Sequence, residues 1–515
     1  MKLKRKKRWI LLVMVLSVFM IGCNRQKNDL EETTITLEPT KTPEKEEIIE
    51  DESIRMVIHP EQTYQILESF GTSGCWWAQY VGGWNNDYKD TGIEVREAIA
   101  KLLFDKEEGI GLTCYRYNVG AGSKESKKGV YWDENRRASS FETAPFIYDW
   151  NRDKNAVWFL KRAVELGVEE VVFFCNSPLE RLTINGMAQV TKGEKSNLDP
   201  KQYTDFATYV LDVTEHFVEE GIPVRFVSPI NEPQWDWYEG QEGCHYEPGK
   251  IAGVYRAFLT ELSSRPTLKD IELSGPESGE WGGNTISYVS ALLNDSVLSE
   301  HFTTIDNHSY WSDKASKESF KRWMNANHPE VKLRSSEWCE MVNGSDVTMD
   351  SAIHLAQVLA EDLTVLDVVS WQNWVAVAPG GYRDGLIYVN TEKKLFNPTK
   401  RLWGYGNYSR YIKPGYQRIG VETTKEGETF SPVVFTGTNS DNVQEIVAVF
   451  INETKEKKQI GLDIFDGFQY TDIDIYETSK DNNLACIRTE SLDSRDFVKI
   501  ELTAESITTV VLSHR

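Results

Sequence analysis

Basic side chains are in short supply in this 515-residue chain: 57 Lys and Arg stand against 79 Asp and Glu, a formal net charge of −22. A surface that acidic repels phosphate backbones and excludes nucleic acid as a partner. Cysteine is thin too. The seven cysteines show no disulfide framework, and none joins the eight histidines in a zinc-ligand spacing. Cys114 and Cys175 lie inside apolar runs and read as buried thiols, while Cys244 and Cys339 leave one bridge open. Nothing in the sequence asks for a metal or nucleotide cofactor.

Long apolar runs are absent except for Trp9 to Ile21, which follows the basic start Lys2 to Arg8 and precedes Gly22-Cys23, the layout of a signal peptide. Met20-Ile-Gly-Cys23 resembles a bacterial lipobox. That implies removal of residues 1–22 and lipidation of Cys23; a simple secretory signal or an uncleaved anchor would share the pattern. From Asn24 to Ser53 ten acids face four bases and aromatics are scarce, so this stretch cannot bury enough apolar surface to fold. Residues 23–53 read as an acidic tether. The expectation is an exported protein, held at a bacterial cell surface or membrane by its lipid.

What the chain has in quantity is aromatic: 16 Trp, 22 Tyr and 21 Phe. Most belong to cores, but clefts that bind sugars also need them. Short apolar runs alternate with helix-compatible stretches, the rhythm of a βα repeat. Eight strands are expected, near Ile66 to Gly74, Ile110 to Val119, Glu170 to Ser177, Val224 to Asn231, Ile271 to Glu277, Thr304 to Tyr310, Val331 to Glu337 and Leu366 to Trp374. Helices are expected over Asn155 to Leu166, Lys201 to Glu220 and Gly253 to Ser263; in the second, Phe206, Val210, Val213 and Phe217 form one stripe. This pattern predicts an α/β chain with a (β/α)8 TIM barrel over residues 54–412. After about Lys413 the helical spacing gives way to alternating strands, which predicts an attached antiparallel β-sandwich over 413–515. The strand-like start of residues 54–65 is a candidate to join that sandwich.

Two glutamates stand where such a barrel carries its chemistry. Val224 to Asn231 ends in Glu232-Pro233, and roughly 105 residues later Val331 to Ser336 ends in Glu337-Trp338. A pair of carboxyls flanking one bond, one protonated and one ionised, is what glycoside hydrolysis requires. Arg116, at the end of the second strand, is placed either to keep Glu337 ionised or to form a structural ion pair.

The chain also resembles the family 30 glycoside hydrolases of clan A, in particular their endo-β-1,6-galactanase-like branch, over about residues 54–515. The resemblance rests on Ser69-Phe-Gly-Thr-Ser-Gly-Cys-Trp-Trp-Ala78, Tyr115-Arg-Tyr-Asn-Val119, Asn176-Ser-Pro178, Ser228-Pro-Ile-Asn-Glu-Pro-Gln234, Gln241-Glu-Gly-Cys244, Ser336-Glu-Trp338, Arg401-Leu-Trp403 and Gly406-Asn-Tyr-Ser-Arg410. It implies that Glu232 is the acid/base and Glu337 the nucleophile of a retaining reaction, with carboxyls roughly 5 to 5.5 Å apart. Asn231 would touch the hydroxyl beside the anomeric carbon. Asn176, Tyr310 and Trp371 would line the cleavage subsite, with Trp371 stacking on a sugar or packing inside the barrel. Trp77 and Trp237 in the neighbouring loops are further candidates for sugar contact. The chain departs from the family at Leu179-Glu-Arg181, where an aromatic wall is usual; Arg181 would hold a uronate or pair with Glu180. The implied activity is cleavage of β-linked plant or microbial glycans, β-1,6-galactan first, with β-1,6-glucan, xylan, β-xyloside or β-fucoside as alternatives. A non-catalytic glycan-binding lipoprotein is the rival from another class. Oligomeric state is not legible.

Overall fold

β-Branched and aromatic residues crowd the short runs Ser69–Ser73 (β1), Cys114–Asn118 (β2), Glu170–Phe174 (β3), Val224–Ser228 (β4), Glu272–Leu273 (β5), Thr304–His308 (β6), Lys332–Trp338 (β7) and Ser370–Ala378 (β8). The computed structural model describes residues 54–423, 430–464, 470–492 and 498–514. The expected signal segment, Cys23 and the acidic tether lie outside these residues. A helix follows each strand: Val95–Phe104, Lys154–Glu165, Tyr203–Glu219, Pro248–Ser263, Thr285–Leu293, Lys314–Asn327, Met349–Glu361 and Lys400–Ser409. The stripe Phe206, Val210, Val213 and Phe217 is buried along the third of them, as its spacing requires.

The eight strands pair in parallel and in chain order, from β1 through β5, from β6 through β8, and from β8 back to β1. Between β5 and β6 the connection is a single parallel bridge, Pro276 to Asp306. β5 is cut to two residues because Pro276 has no N–H to donate to a ladder. The backbone of Glu277 then donates to Asp306 O at 2.8 Å and Asp306 N donates to Gly275 O at 3.0 Å, which brings the pairing back to its start. The strands are buried on nearly every residue, as parallel strands covered on both faces must be. Inside the ring, buried Arg334 pairs with Glu68 at 3.0 Å and Asp306 at 3.3 Å and packs over Phe226.

The second sheet has nine strands, in the order Ala485–Ser491, Asp472–Thr478, Ser506–His514, Gln444–Asn452, Val433–Thr438, Gln417–Thr423, Ile54–Ile66, Lys458–Ile464 and Val498–Leu502. The leading strand Ile54–Ile66 thus sits inside it, antiparallel to Gln417–Thr423 and parallel to Lys458–Ile464. Ile446, Ala448 and Phe450 enter a core shared with Ile460 and Ile500 from one end and Ile473 and Ile475 from the other, so the sheet curls over its own apolar face. The alternate residues Val447, Val449 and Ile451 join the core of the strand ring. Period-two alternation therefore welds the two parts. Helix Lys400–Ser409 makes the closest approach, with Asn407 bonded to Thr509 at 2.9 Å; a Cβ at Gly404 would stand 2.7 Å from Ile507.

If the leading strand is core to the second sheet, Ile58→Ala removes fully buried apolar volume. A loss of about 2–5 kcal/mol is expected, read as an earlier denaturation midpoint; an unchanged midpoint would place Ile58 outside the core.

Candidate active site

The ends of β2, β4, β5, β6 and β7 deliver Arg116, Glu232, Glu277, His308 and Glu337 to one place. Glu232 lies four residues past β4 at φ 42° and Glu277 past β5 at φ 57°, both in the left-handed region that non-glycine side chains adopt uncommonly. Such a conformation costs on the order of 1–3 kcal/mol. It is held by a chain of backbone bonds in which Glu232 N donates to Glu277 O and Glu277 N to Asp306 O, each 2.8 Å. Trp237 Nε1 donates to Glu232 O at 2.9 Å and fixes the peptide from the other side.

His308 is the hub. Its Nδ1 lies 3.2 Å from Glu232 Oε1 and 3.3 Å from Glu337 Oε1, and its Nε2 lies 3.2 Å from Glu277 Oε2. A carboxylate oxygen of Glu232, one of Glu337 and a ring nitrogen of His308 all fall within 4.8 Å of one another. Arg116 completes the cluster: Nη1 donates to Glu337 Oε2 at 2.5 Å, Nη2 donates to Asn231 Oδ1 at 2.9 Å, and Nη2 stands 3.3 Å from Glu277. The guanidinium is wholly buried and lies 3.7 Å over the Phe174 ring. Arg116 therefore orients Glu337 and Glu277, and Asn231 holds the guanidinium in place. Tyr310 Oη donates to Glu337 Oε1 at 3.1 Å, so both oxygens of Glu337 accept hydrogen bonds.

Three buried carboxyls share two buried cations. Burial alone would lower His308, but Glu337, Glu232 and Glu277 raise it to about 10. Burial would raise Glu277; Arg116, His308 and Ser336 overcome it and hold that carboxyl down to about 2. Burial pushes Glu337 up, against the pull of His308 and Arg116, and the neighbouring Glu232 and Glu277 push the same way. With Glu277 held ionised by Arg116 and His308, Glu337 shares the same two cations while burial and its carboxyl neighbours oppose them. The three donors around His308 also have the proximity of a metal-binding group, but the protonated imidazole already supplies positive charge between the two carboxyls.

Glu232 and Glu337 open into a cavity of about 890 Å³, walled by Trp76, Trp132, Trp235, Trp237, Trp311 and Trp374 with Tyr310 and Tyr382. Two rim loops are pinned together by a Tyr131 to Gly240 bridge; a Cβ at Gly240 would meet the Trp132 ring at 2.8 Å. Buried Glu242 accepts from the backbone of Ala121 and Ser123, and burial pushes its carboxyl up to about 7.

Several expected contacts fall elsewhere. Trp371 is fully buried: its Nε1 donates to Asp362 at 2.9 Å and its ring packs on Tyr405 at 5.2 Å. The tryptophan that reaches the cavity from β8 is Trp374, past the point where the strand shifts register. Trp77 is likewise core, bonded to Ser73 O and packed on Phe159 at 4.5 Å, and its neighbour Trp76 faces the cavity. Arg181 is committed to Glu142 at 2.5 Å and Asp205 at 3.5 Å, not to Glu180, and is absent from the cavity wall. Asn176 is buried beside Cys75 and Asn118. Cys244 and Cys339 are free thiols, so the open bridge is not made. Glu277 and His308 are site residues that sequence reasoning misses, although Glu277 ends an expected strand, the same signal that marks Glu337, and His308 lies two residues before the end of another.

Two outcomes follow. Trp371→Phe leaves Asp362 short of a donor and is expected to lower stability by about 1–3 kcal/mol with oligosaccharide affinity unchanged, whereas Trp374→Ala weakens affinity with stability unchanged. For His308, the folded pKa lies above the unfolded value of about 6.5, so its stabilisation is full below that pH and is lost as pH rises through about 10. The stability gap between the native chain and His308→Gln is therefore expected to narrow from pH 7 to pH 10 in denaturation midpoints; a constant gap would contradict a protonated imidazole.

Residues 53–388 match the model of O-Glycosyl hydrolase family 30. An endo-β-1,6-galactanase of Hypocrea rufa is 25% identical over 389 residues, covering 70% of this chain and 75% of that protein. A conserved exported protein of Bacteroides fragilis, known by its crystal structure, superposes with a TM-score of 0.76 at 25% identity, covering 89% of this chain and all of the other. The catalytic domain of a xylanase C from Talaromyces cellulolyticus shares the fold at a TM-score of 0.69 and 18% identity, over 89% of this chain and 99% of that domain. With both carboxyls at the ends of the fourth and seventh ring strands and a family match across most of the chain, the protein belongs to O-glycosyl hydrolase family 30.

Proposed function

We propose that the protein is a retaining endo-β-1,6-galactanase, with a (β/α)8 barrel for catalysis and a β-sandwich beside it. The observation that carries the retaining reading is the closeness of Glu232 and Glu337, oxygen to oxygen within 4.8 Å, which leaves no room for a water between carboxyl and sugar. Glu337 is the nucleophile: its oxygens are oriented by Arg116 and Tyr310, and one attacks the anomeric carbon as the glycosidic bond breaks. Glu232 gives its proton to the leaving oxygen. In the second step Glu232 takes a proton from water, the water oxygen bonds to the anomeric carbon, and Glu337 leaves as a carboxylate. The transfer of charge between the two carboxyls is buffered by His308, which touches both.

The galactan substrate rests on the Hypocrea rufa relative; xylan, β-1,6-glucan, β-xylosides and β-fucosides are the alternatives. An exported, lipid-tethered placement is supported by the leader-like residues 1–22 with Cys23 and by the exported Bacteroides fragilis relative. Proton NMR of the first product formed from β-1,6-galactan is expected to show the β anomer; an α anomer appearing first would overturn retention. Glu232→Gln is expected to lower kcat by about 10²- to 10⁴-fold, and an unaffected rate would remove Glu232 from its role.

A further inference from the structure

The residues that line the cavity fall into two groups, one continuing from Glu232 and one from Glu337, and each group marks an arm of the cleft. Beside Glu232 stand Gln234, Trp235 and Trp311, the two tryptophans 5.5 Å apart. The proton donor serves the leaving oxygen, so this arm takes the departing part of the substrate. The other arm begins at Cys339, next in chain but one to Glu337, and is walled by Trp76, Trp132, Arg136, Trp374, Tyr382 and Asp384. Trp76 and Trp374 meet edge to face at 5.3 Å.

Two charges in this second arm have no side-chain partner among the described residues, although backbone N–H groups of Asp384 and Gly385 act on the Asp384 carboxyl. The guanidinium of Arg136 lies 4.6 Å from the Trp76 ring and 5.1 Å from the Trp132 ring, and among the described residues it forms no ion pair and no side-chain hydrogen bond. Asp384 leaves Oδ1 buried without a hydrogen-bond partner. Asp384 is the charge that acts most strongly on Arg136, yet no ion pair joins the two. Opposite charges set in one wall and held apart are incompletely compensated. What would bridge them must accept from Arg136, donate to Asp384 and offer an apolar face to Trp76.

Ring hydroxyls do both, since each O–H donates and accepts. A uronate accepts from Arg136 but brings a second negative charge towards Asp384. Resting on the galactanase reading of the same cavity, we infer that Arg136, Asp384 and Trp76 form a specificity subsite for a neutral hexopyranose on the non-leaving side, with Arg136 donating to one ring hydroxyl, Asp384 accepting from another, and a uronate disfavoured.

The test is calorimetric binding to the catalytically silent Glu337→Gln chain, with Asp384→Asn and Arg136→Lys added singly. The probes are β-1,6-linked galactotriose and the same trisaccharide carrying glucuronate as its non-reducing ring. The neutral probe is expected to bind at least tenfold more tightly than the uronate one. Asp384→Asn weakens the neutral probe about tenfold and narrows the gap between probes, a charge-specific readout that a merely structural residue would not give; Arg136→Lys, which keeps the charge but loses the planar fork, weakens the neutral probe too. Thermal unfolding checks that each variant is folded. Equal or tighter binding of the uronate probe overturns the inference and makes the arm an anion site. Unchanged affinities in both folded variants overturn it as well. Failure of the galactanase reading shows separately, as an intact chain that leaves β-1,6-galactan uncut but cleaves another neutral β-glycan. The neutral and uronate-ended trisaccharides of that glycan then serve as probes, and the same preference for the neutral one is expected.

Discussion

Everything at the mouth of the strand ring depends on one electrostatic arrangement: three buried glutamates gathered around two buried cations, Arg116 and His308. In water such carboxyls would repel one another weakly; at low dielectric they must be neutralised or protonated. Arg116 and His308 do the first for Glu277, which is the most deeply buried and is held ionised. Glu232 and Glu337 face the cavity, and burial pushes the Glu337 carboxyl up against the pull of the same two cations.

The fold supplies the geometry because each member comes from a different strand. Arg116 lies within β2, His308 and Glu337 at the ends of β6 and β7, and Glu232 and Glu277 just past β4 and β5, and the early termination of β5 before Gly275-Pro276 frees the backbone that positions Glu232. The left-handed turns at Glu232 and Glu277 and the register shifts in β7 and β8 are local departures from regular strand, and they fall where side chains have to be aimed. Below them the ring is regular and packed. Strain at the rim rests on a core that does not yield.

The eight ring strands are legible in the sequence because burial on both faces leaves near-continuous apolar runs, and the two outer glutamates because both close such runs. Gln417–Thr423 and Ala485–Ser491 carry no comparable signal; the second is exposed on most residues, so no apolar alternation identifies it. Trp77 and Trp371 mislead for a different reason. In Trp76-Trp77 adjacent side chains face opposite ways, and in Trp371 to Trp374 a register shift intervenes, so composition alone cannot say which ring faces the cavity. Arg181 gains its expected place from its nearness to Pro178, but its partner Glu142 comes from the short strand Glu142–Ala144, 39 residues earlier, a contact only tertiary structure reveals.

The most direct test of the charge arrangement is to trap the covalent intermediate. A 2-deoxy-2-fluoro-β-galactoside with a good leaving group slows the second step more than the first, and peptide mass mapping then identifies the esterified side chain. The account predicts the label on Glu337; a label on Glu232 or Glu277, or turnover without any trapped ester, would contradict it.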